Sequence, residues 1–184
     1  MRRLRGIIRS LFAPGLVLAL ALTAGVAGAQ PVANLETAVK ATYLYKFAPF
    51  VTWPAAPGES LTICIIGADP FGDVLDRAIA GQGYNGRPFR VLRLPAIGVD
   101  SGCAVAYLGG SGHQSVASAL QVLKGAPVLT VTQNSRSPGI IDFVNLQGHI
   151  RFQVDLAAAS RNHLEISSKL LAMAAAVKND GGAQ

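Results

Sequence analysis

Three aspartates in one predicted helix come nearest to a metal site in residue type and spacing. Asp69, Asp73 and Asp76 stand at i, i+4 and i+7, so they line one side of a helix. Carboxylate oxygens bind hard cations. The same pattern is typical of a helix cap followed by acidic residues in the first turn, where the helix dipole favours them. We favour this second interpretation and predict no metal site.

The side-chain sets that catalysis requires are missing from the sequence. A catalytic site needs a nucleophile with its base, paired carboxylates or a metal. The chain contains no G-x-S-x-G, H-E-x-x-H or P-loop motif. Its three histidines, His113, His149 and His163, fall in different predicted elements and share no ligand spacing. We therefore predict a protein that is not an enzyme and that needs no cofactor.

A glycine-rich loop has some character of a binding site. Gly109-Gly-Ser-Gly-His113 leads from a predicted strand into a predicted helix. Free N–H groups at such a place suit an anion or a phosphate, which makes Ser111 and His113 candidates for ligand binding. The alternative is a tight structural turn.

Polar residues among apolar ones mark a second candidate region, near the C-terminus. These residues are Asn145, Arg151 and Lys169. Lys169 falls in the first turn of a predicted helix, where the helix dipole slightly disfavours a cation. That misfit indicates a specific partner or anion for Lys169. The alternative is a solvated lysine whose stem lies along the surface.

The aromatic stretch "KATYLYKFAPFVTWP", residues 40–54, supplies a third candidate. Stepped around a helix, most of its apolar side chains fall in one broad arc, which is typical of a core helix. Tyr45 lies outside that arc, Phe50 follows the proline that ends the helix, and Trp53 stands in a proline-bounded loop. We interpret Tyr45, Phe50 and Trp53 as a contact site for a partner or ligand, with core packing as the alternative.

Alternating strands and helices must position these residues. Leu61 to Ile66 is a continuous apolar, β-branched run, typical of a strand that is covered on both faces. Asp69, Asp155 and Ser167 are predicted to cap the helices that follow them. The order of elements predicts an α/β fold: a single domain with a mixed, mainly parallel sheet flanked by helices and ending in a hairpin plus C-terminal helices. The predicted strands are 61–66, 89–94, 103–108, 127–132, 140–145 and 149–154, and the predicted helices are 33–48, 71–80, 114–124, 156–161 and 168–177.

The first 29 residues have the features of a cleaved signal peptide. An arginine-rich start precedes a short apolar run, LVLALAL, and Ala27-Gly-Ala29 supplies small residues for cleavage. The alternative is an uncleaved N-terminal anchor. Cleavage removes four of the 16 basic residues and none of the ten acidic ones, so the net charge falls from +6 to +2. Most of the positive charge that would favour nucleic-acid binding is thereby lost. We predict a folded domain at 30–178 and a flexible tail at 179–184.

Cys64 and Cys103 are the two cysteines of the chain. In an exported protein an even pair predicts a disulfide. The alternative is two buried free thiols. A metal site is disfavoured because the two cysteines are far apart and neither has a neighbouring histidine.

Several blocks of the sequence resemble, in order, the YfiR family of periplasmic proteins. The resemblance runs from about Leu35 to Val177 and includes Cys103. The blocks are "AVKATYLYKFAPFVTWP", "LTICIIGADPFG", "NGRPFRVLRL", "PVLTVTQ", "GIIDFVNLQGHIRFQVDLAAA" and "LEISSKLLAMA".

This resemblance implies a periplasmic α/β domain, often a homodimer, that binds the periplasmic sensor region of a membrane diguanylate cyclase and represses it. Cyclic di-GMP, attachment and biofilm formation would fall as a result. It also implies an OmpA-like outer-membrane lipoprotein as antagonist and a disulfide between Cys64 and Cys103. The second, later cysteine pair of some members is absent here. The alternative function is a periplasmic module that binds a small anionic or aromatic ligand.

Overall fold

The computed structural model describes residues 31–55 and 58–179. The predicted signal peptide and the tail from residue 180 onward lie outside the described residues. In the described ranges, no helix combines the length and the apolar character needed to cross a membrane.

Ten strands and five helices alternate along the chain in the described ranges. The strands are β1 (Val51–Thr52), β2 (Leu61–Gly67), β3 (Gly83–Tyr84), β4 (Arg87–Leu94), β5 (Val105–Gly110), β6 (Leu129–Gln133), β7 (Ile141–Leu146), β8 (His149–Asp155), β9 (Glu165–Ile166) and β10 (Ala176–Lys178). The helices are α1 (Pro31–Lys46), α2 (Asp73–Ile79), α3 (Val116–Val122), α4 (Leu156–Arg161) and α5 (Ser168–Met173), with a 3-10 turn at Ala48–Phe50.

Eight strands form one sheet in the order β10-β8-β7-β6-β5-β2-β4-β3, and β1 pairs with β9 in a separate ribbon. Strands β4, β2, β5, β6 and β7 run parallel to one another. β8 returns antiparallel to β7, and β10 lies parallel to β8 at the edge. The predicted class, a mixed and mainly parallel sheet flanked by helices and ending in a hairpin, is confirmed.

The interior strand β2 is buried on both faces of the sheet. Ile63 and Ile65 lie in the larger core cluster, with α1 and α2, while Cys64 and Ile66 lie in the second cluster, with α3. All four side chains are at most 1% exposed, as a continuous β-branched run requires in a parallel sheet. On the α1 face, the ring of Phe47 lies 5.2 Å from that of Phe152 in β8, between ring centroids.

Two predicted helix boundaries are wrong for identifiable reasons. Asp69 does not cap α2, because Gly72 takes that position at φ +49° and Asp69 Oδ1 accepts the N–H groups of Phe71 and Gly72 in a turn. The last helix ends at Met173, not near residue 177. The chain then adds β10 beside β8, and Ala175 N–H donates to the Phe152 carbonyl at 2.8 Å. The predicted caps Asp155 and Ser167 are confirmed.

The predicted disulfide between Cys64 and Cys103 is confirmed. It joins the middle of β2 to the segment just before β5, with 5.8 Å between the two Cα atoms. Both cysteines are buried beside α3, at 0% and 8% exposure. The bond therefore fastens two neighbouring strands of the sheet from within the core.

Candidate interaction and ligand site

Trp53 lies at the edge of a small cavity, which we call the Trp53 cavity. It has a volume of about 180 Å³ and lies at the amino end of β2, next to the β1–β9 ribbon. Its lining consists of Val51, Thr52, Trp53, Ala55, Leu61, Tyr84, Asn85 and Arg87. The ribbon is short, but Ser167 N–H also donates to the Phe50 carbonyl at 2.9 Å, so the loop bearing Trp53 is tied to the start of α5.

The indole nitrogen of Trp53 is buried without a hydrogen-bond partner in the part of the chain that the structure describes. The Trp53 ring is half-buried and packs against the core, while its Nε1–H can only donate. A buried donor without an acceptor costs about 1–3 kcal/mol. An acceptor that a ligand or a partner supplied would recover that cost, so Trp53 is suited to recognition.

Arg87 adds a positive charge to the same cavity. Its Nε donates to the Gly58 carbonyl at 2.8 Å, which fixes the side chain across the loop. In the described ranges its terminal nitrogens make no ion pair or hydrogen bond. An aromatic ring, an indole donor and a guanidinium thus lie around one cavity, and this combination suits an anionic or aromatic group. Arg87 was not predictable as part of this site, because it lies 34 positions after Trp53 in the sequence.

Phe50 is joined to the start of α5, which bears Lys169, and Tyr45 packs against β4. Neither Phe50 nor Lys169 is among the described residues that line the Trp53 cavity. Phe50 is half-buried, and Lys169 is exposed two residues after the serine that bonds the Phe50 carbonyl. The Tyr45 ring lies 5.7 Å from that of Phe89, and Tyr45 is half-buried against the core. Its position outside the helical arc is explained by the neighbouring β4, which gives it an apolar surface to cover.

The glycine-rich loop is held in a closed arrangement. A Cβ on Gly109 would lie 2.0 Å from the Ala68 carbonyl oxygen, and Ala68 N–H donates to the Gly110 carbonyl at 2.9 Å. The Ser111 hydroxyl donates to the Pro95 carbonyl and accepts the N–H groups of His113 and Gln114. The Ser111 hydroxyl therefore stabilises the turn through these bonds, while the His113 side chain is exposed.

Asn145 and Arg151 lie on the β7–β8 hairpin, at the opposite end of the sheet from Trp53. Asn145 Oδ1 accepts the N–H of Gly148 at 2.9 Å, which stabilises the two-residue turn. Arg151 pairs across the ladder with Val144, and its side chain is exposed. Leu146 beside them is 48% exposed. The predicted candidates are therefore not brought together: they lie near Trp53, in the glycine-rich loop and on this hairpin.

The three aspartates of the α2 region bind arginines in the structure. Arg93 donates to Asp69 Oδ2 at 2.7 Å, to Asp76 Oδ2 at 2.6 Å and to the Gly72 carbonyl at 2.6 Å. Asp73 pairs with Arg77 one turn later. The hydrogen bond from Arg93 holds the pKa of Asp76 below its usual value, and the two carboxylates raise the pKa of Arg93. Over residues 31–55 and 58–179, no group of side chains forms a metal site.

A buried polar cluster under α1 was also missed from the sequence. Lys40 is 5% exposed, and its Nζ donates to Glu36 at 3.0 Å and to Gln133 Oε1 at 2.8 Å. The Tyr107 hydroxyl donates to the same Gln133 oxygen at 3.4 Å. Burial raises the pKa of Tyr107 to about 12, with smaller contributions from the charges of Asp142 and Asp69. The cluster anchors α1 to the carboxyl ends of β5 and β6.

A family model described as YfiR/HmsC-like matches residues 37–175 of the chain. The match begins within α1, extends past the end of α5, and includes the disulfide and every described residue that lines the Trp53 cavity. No curated protein matches the chain at a significant level.

Proposed function

The chain belongs to the YfiR/HmsC-like family, and on that basis we propose that it is an exported periplasmic regulator that acts by protein–protein contact. The observation that carries the proposal is the family match over residues 37–175. Within this role, we propose that the chain binds the periplasmic sensor region of a membrane diguanylate cyclase. It represses that enzyme and lowers cyclic di-GMP.

Three further features support a periplasmic regulator. The leader-like residues 1–29 favour export. The disulfide between Cys64 and Cys103 is of a kind that persists in oxidising compartments such as the periplasm. Trp53 supplies an aromatic anchor of the kind found at hot spots of protein interfaces, and its indole N–H has no acceptor among the described residues.

Calorimetry with purified domains tests the proposal. Residues 30–184 are titrated against the periplasmic domains of membrane diguanylate cyclases encoded in the same genome, starting with neighbouring genes. We expect saturable binding to at least one of them and an affinity about 30-fold lower for Trp53→Ala, because hot-spot residues contribute about 2 kcal/mol or more. Arg90→Ala, which truncates an exposed side chain of β4, is the control. Absence of binding to all of them, with unchanged cyclic di-GMP in a deletion strain, refutes the proposal.

Assembly partners follow from the same family assignment. We propose that the chain forms a homodimer and that an OmpA-like outer-membrane lipoprotein sequesters it from the cyclase. Light scattering of the purified chain measures the first. Competition between that lipoprotein and the cyclase domain for the labelled chain measures the second.

The second candidate function is a small-molecule binding module, favoured by the buried indole nitrogen in the Trp53 cavity, for which residues 31–55 and 58–179 provide no hydrogen-bond partner. Trp53 is the one tryptophan of the chain, so its fluorescence reports directly on the cavity. Nucleotides, aromatic amino acids and cell-wall fragments are the probes. Binding through the indole N–H predicts weaker affinity in Trp53→Phe, measured by calorimetry, and still weaker affinity when Arg87→Gln is added. No heat from any probe counts against this function.

A further inference from the structure

We propose that a second cavity, lined by Lys124 and Arg161, is a binding site for a small oxyanion-bearing molecule. The cavity lies where the C-terminal ends of α3 and α4 meet the loop before β7, and it has a volume of about 370 Å³. That volume falls within the range of small-molecule sites. The lining residues are Leu120, Gln121, Lys124, Thr130, Pro138, Gly139, Ile140, Ala158, Arg161 and Asn162. The site is separate from the Trp53 cavity and does not depend on the proposed function.

The charge of this cavity is positive and uncompensated. Lys124 follows α3 and Arg161 ends α4, and no aspartate or glutamate is among the described residues that line the cavity. In the described ranges, neither cation forms a salt bridge. By contrast, Lys40, Arg77 and Arg93 each pair with a carboxylate. Over residues 31–55 and 58–179, Arg87, Arg90 and Arg151 form no salt bridge either. The pair Lys124 and Arg161 differs from them because both cations line one cavity, where a single external anion could contact both.

Helix ends explain part of this arrangement but not its convergence. Arg161 ends α4 and Lys124 follows α3, where cations interact favourably with the helix carbonyl ends. That benefit is local to each helix and does not require the two cations to line one cavity. A bound oxyanion would be held by both, with the guanidinium able to donate two parallel hydrogen bonds.

Hydrogen bonds fix the walls of the cavity, and the hydroxyl of Thr130 remains available as a donor in the described ranges. Asn162 is 7% exposed; its Oδ1 accepts the Gly125 N–H at 3.1 Å and its Nδ2 donates to the Val128 carbonyl at 3.2 Å. This amide therefore ties α4 to the turn between α3 and β6. Thr130, at 2% exposure, accepts the Ile140 N–H at 2.9 Å, and within the described ranges its hydroxyl hydrogen has no acceptor. A rigid polar wall with a free hydroxyl donor complements the two cations.

The ligand chemistry that fits these groups is a carboxylate or phosphate on a small molecule. Arginine and lysine both bind such oxyanions, and a hydroxyl adds a neutral donor. The volume admits more than the oxyanion itself, so a small carrier is included in the proposal. Inorganic phosphate and succinate are the two probes, because they separate phosphate from carboxylate recognition.

Nuclear magnetic resonance of the ¹⁵N-labelled chain at residues 30–184 tests the site. We expect titration of phosphate or succinate to shift the amide signals of Gly125, Gly139 and Ile140 together, with saturation at millimolar concentration. The signals around Trp53 should stay in place. The affinity should fall as salt rises, because screening weakens the charge attraction. Which probe binds more tightly identifies the oxyanion class.

Charge-removing variants decide whether the two cations hold the anion. Arg161→Gln and Lys124→Gln should each lower the affinity by about fivefold to tenfold, and the double variant should abolish saturation. Arg90→Gln removes one exposed charge from β4, outside this cavity, and should change the affinity less than twofold. The proposal is overturned if these amides show no saturable shift when the probe reaches both a 20-fold molar excess and tens of millimolar. Equal weakening by Arg90→Gln also overturns it, since that would indicate general charge attraction.

Discussion

Removing the Cys64–Cys103 disulfide should destabilise the domain strongly, and the size of the effect follows from the chain. The bond closes a loop with a sequence separation of 39. For such a loop the chain-entropy relation gives about 4 kcal/mol at 25 °C. We expect Cys64→Ala/Cys103→Ala to lower the free energy of unfolding by about that amount. With a urea m-value of about 2 kcal/mol/M, the unfolding midpoint should fall by about 2 M.

Urea unfolding followed by circular dichroism measures this difference, with dithiothreitol as the matched control. The oxidised wild-type chain should lose most of the same stability in the reductant, because both treatments open the same loop. The double variant should be insensitive to it. A difference below about 1 kcal/mol between the oxidised chain and the double variant would refute the reasoning, as would equal sensitivity of both proteins to dithiothreitol.

Three further predictions follow from side chains outside the proposed binding sites. Arg93→Ala should lower the free energy of unfolding by less than about 1 kcal/mol, because the pair with Asp76 is exposed. The pKa of the Asp76 carboxyl is lowered in the folded chain, so this loss of stability should be present at neutral pH and should vanish as pH falls through the acid range. Urea titrations at several pH values measure it. The pKa of Tyr107 is raised to about 12, so its contribution to stability is fully present below pH 10 and is lost between pH 10 and 12. Tyr107→Phe should remove the tyrosine ionisation that occurs at the highest pH in the absorbance titration at 295 nm. Gly109→Ala should destabilise by more than about 3 kcal/mol in thermal unfolding, while Gly112→Ala, which has open space around its Cβ, should change stability by less than about 1 kcal/mol.

The parts of the fold that local patterns control were predictable from the sequence. The β-branched run of β2 predicts a strand buried on both faces, and Ile63 and Ile65 do face one layer while Cys64 and Ile66 face the other. The hairpin was predictable too, because two strand-like runs are separated by a short stretch that ends in Gly148. In the structure Gln147 and Gly148 both adopt positive φ, as a two-residue turn requires.

Other elements depend on neighbours distant in sequence and were therefore missed. The segment Ala174–Lys178 is alanine-rich and has helical propensity, yet it forms β10 because the open edge of β8 offers hydrogen bonds. Asp69 has the residue type of a cap, but Arg93, 24 positions later, binds its carboxylate. Propensity favours one structure in both cases, and a tertiary hydrogen bond selects another.

The candidate binding residues were only partly predictable for the same reason. Trp53 could be singled out because an aromatic residue in a proline-bounded loop is unusual for a core. Arg87, which completes its cavity, and the pair Lys124 and Arg161 could not, because nothing in the sequence brings residues about 35 positions apart to one cavity. An exposed arginine has no local pattern that distinguishes a binding residue from a solvated one.

The sheet is closed at the carboxyl ends of β2 and β5, and the two proposed binding cavities lie at its amino edge. In open α/β sheets, ligands usually bind outside the carboxyl ends of the strands, where the strand order reverses. Here that point lies between β2 and β5, since β4 and β5 pair with opposite edges of β2. The backbones of Ala68 and Gly109 meet there too closely to admit a ligand. The two proposed binding cavities lie at the amino edge, where Trp53 and Arg87 border β2 and where Lys124 and Arg161 flank the start of β7. A protein partner that docked on Trp53 would contact the amino edge and leave the glycine-rich loop exposed, so the amide signals of Ser111 to His113 should stay in place when the partner binds.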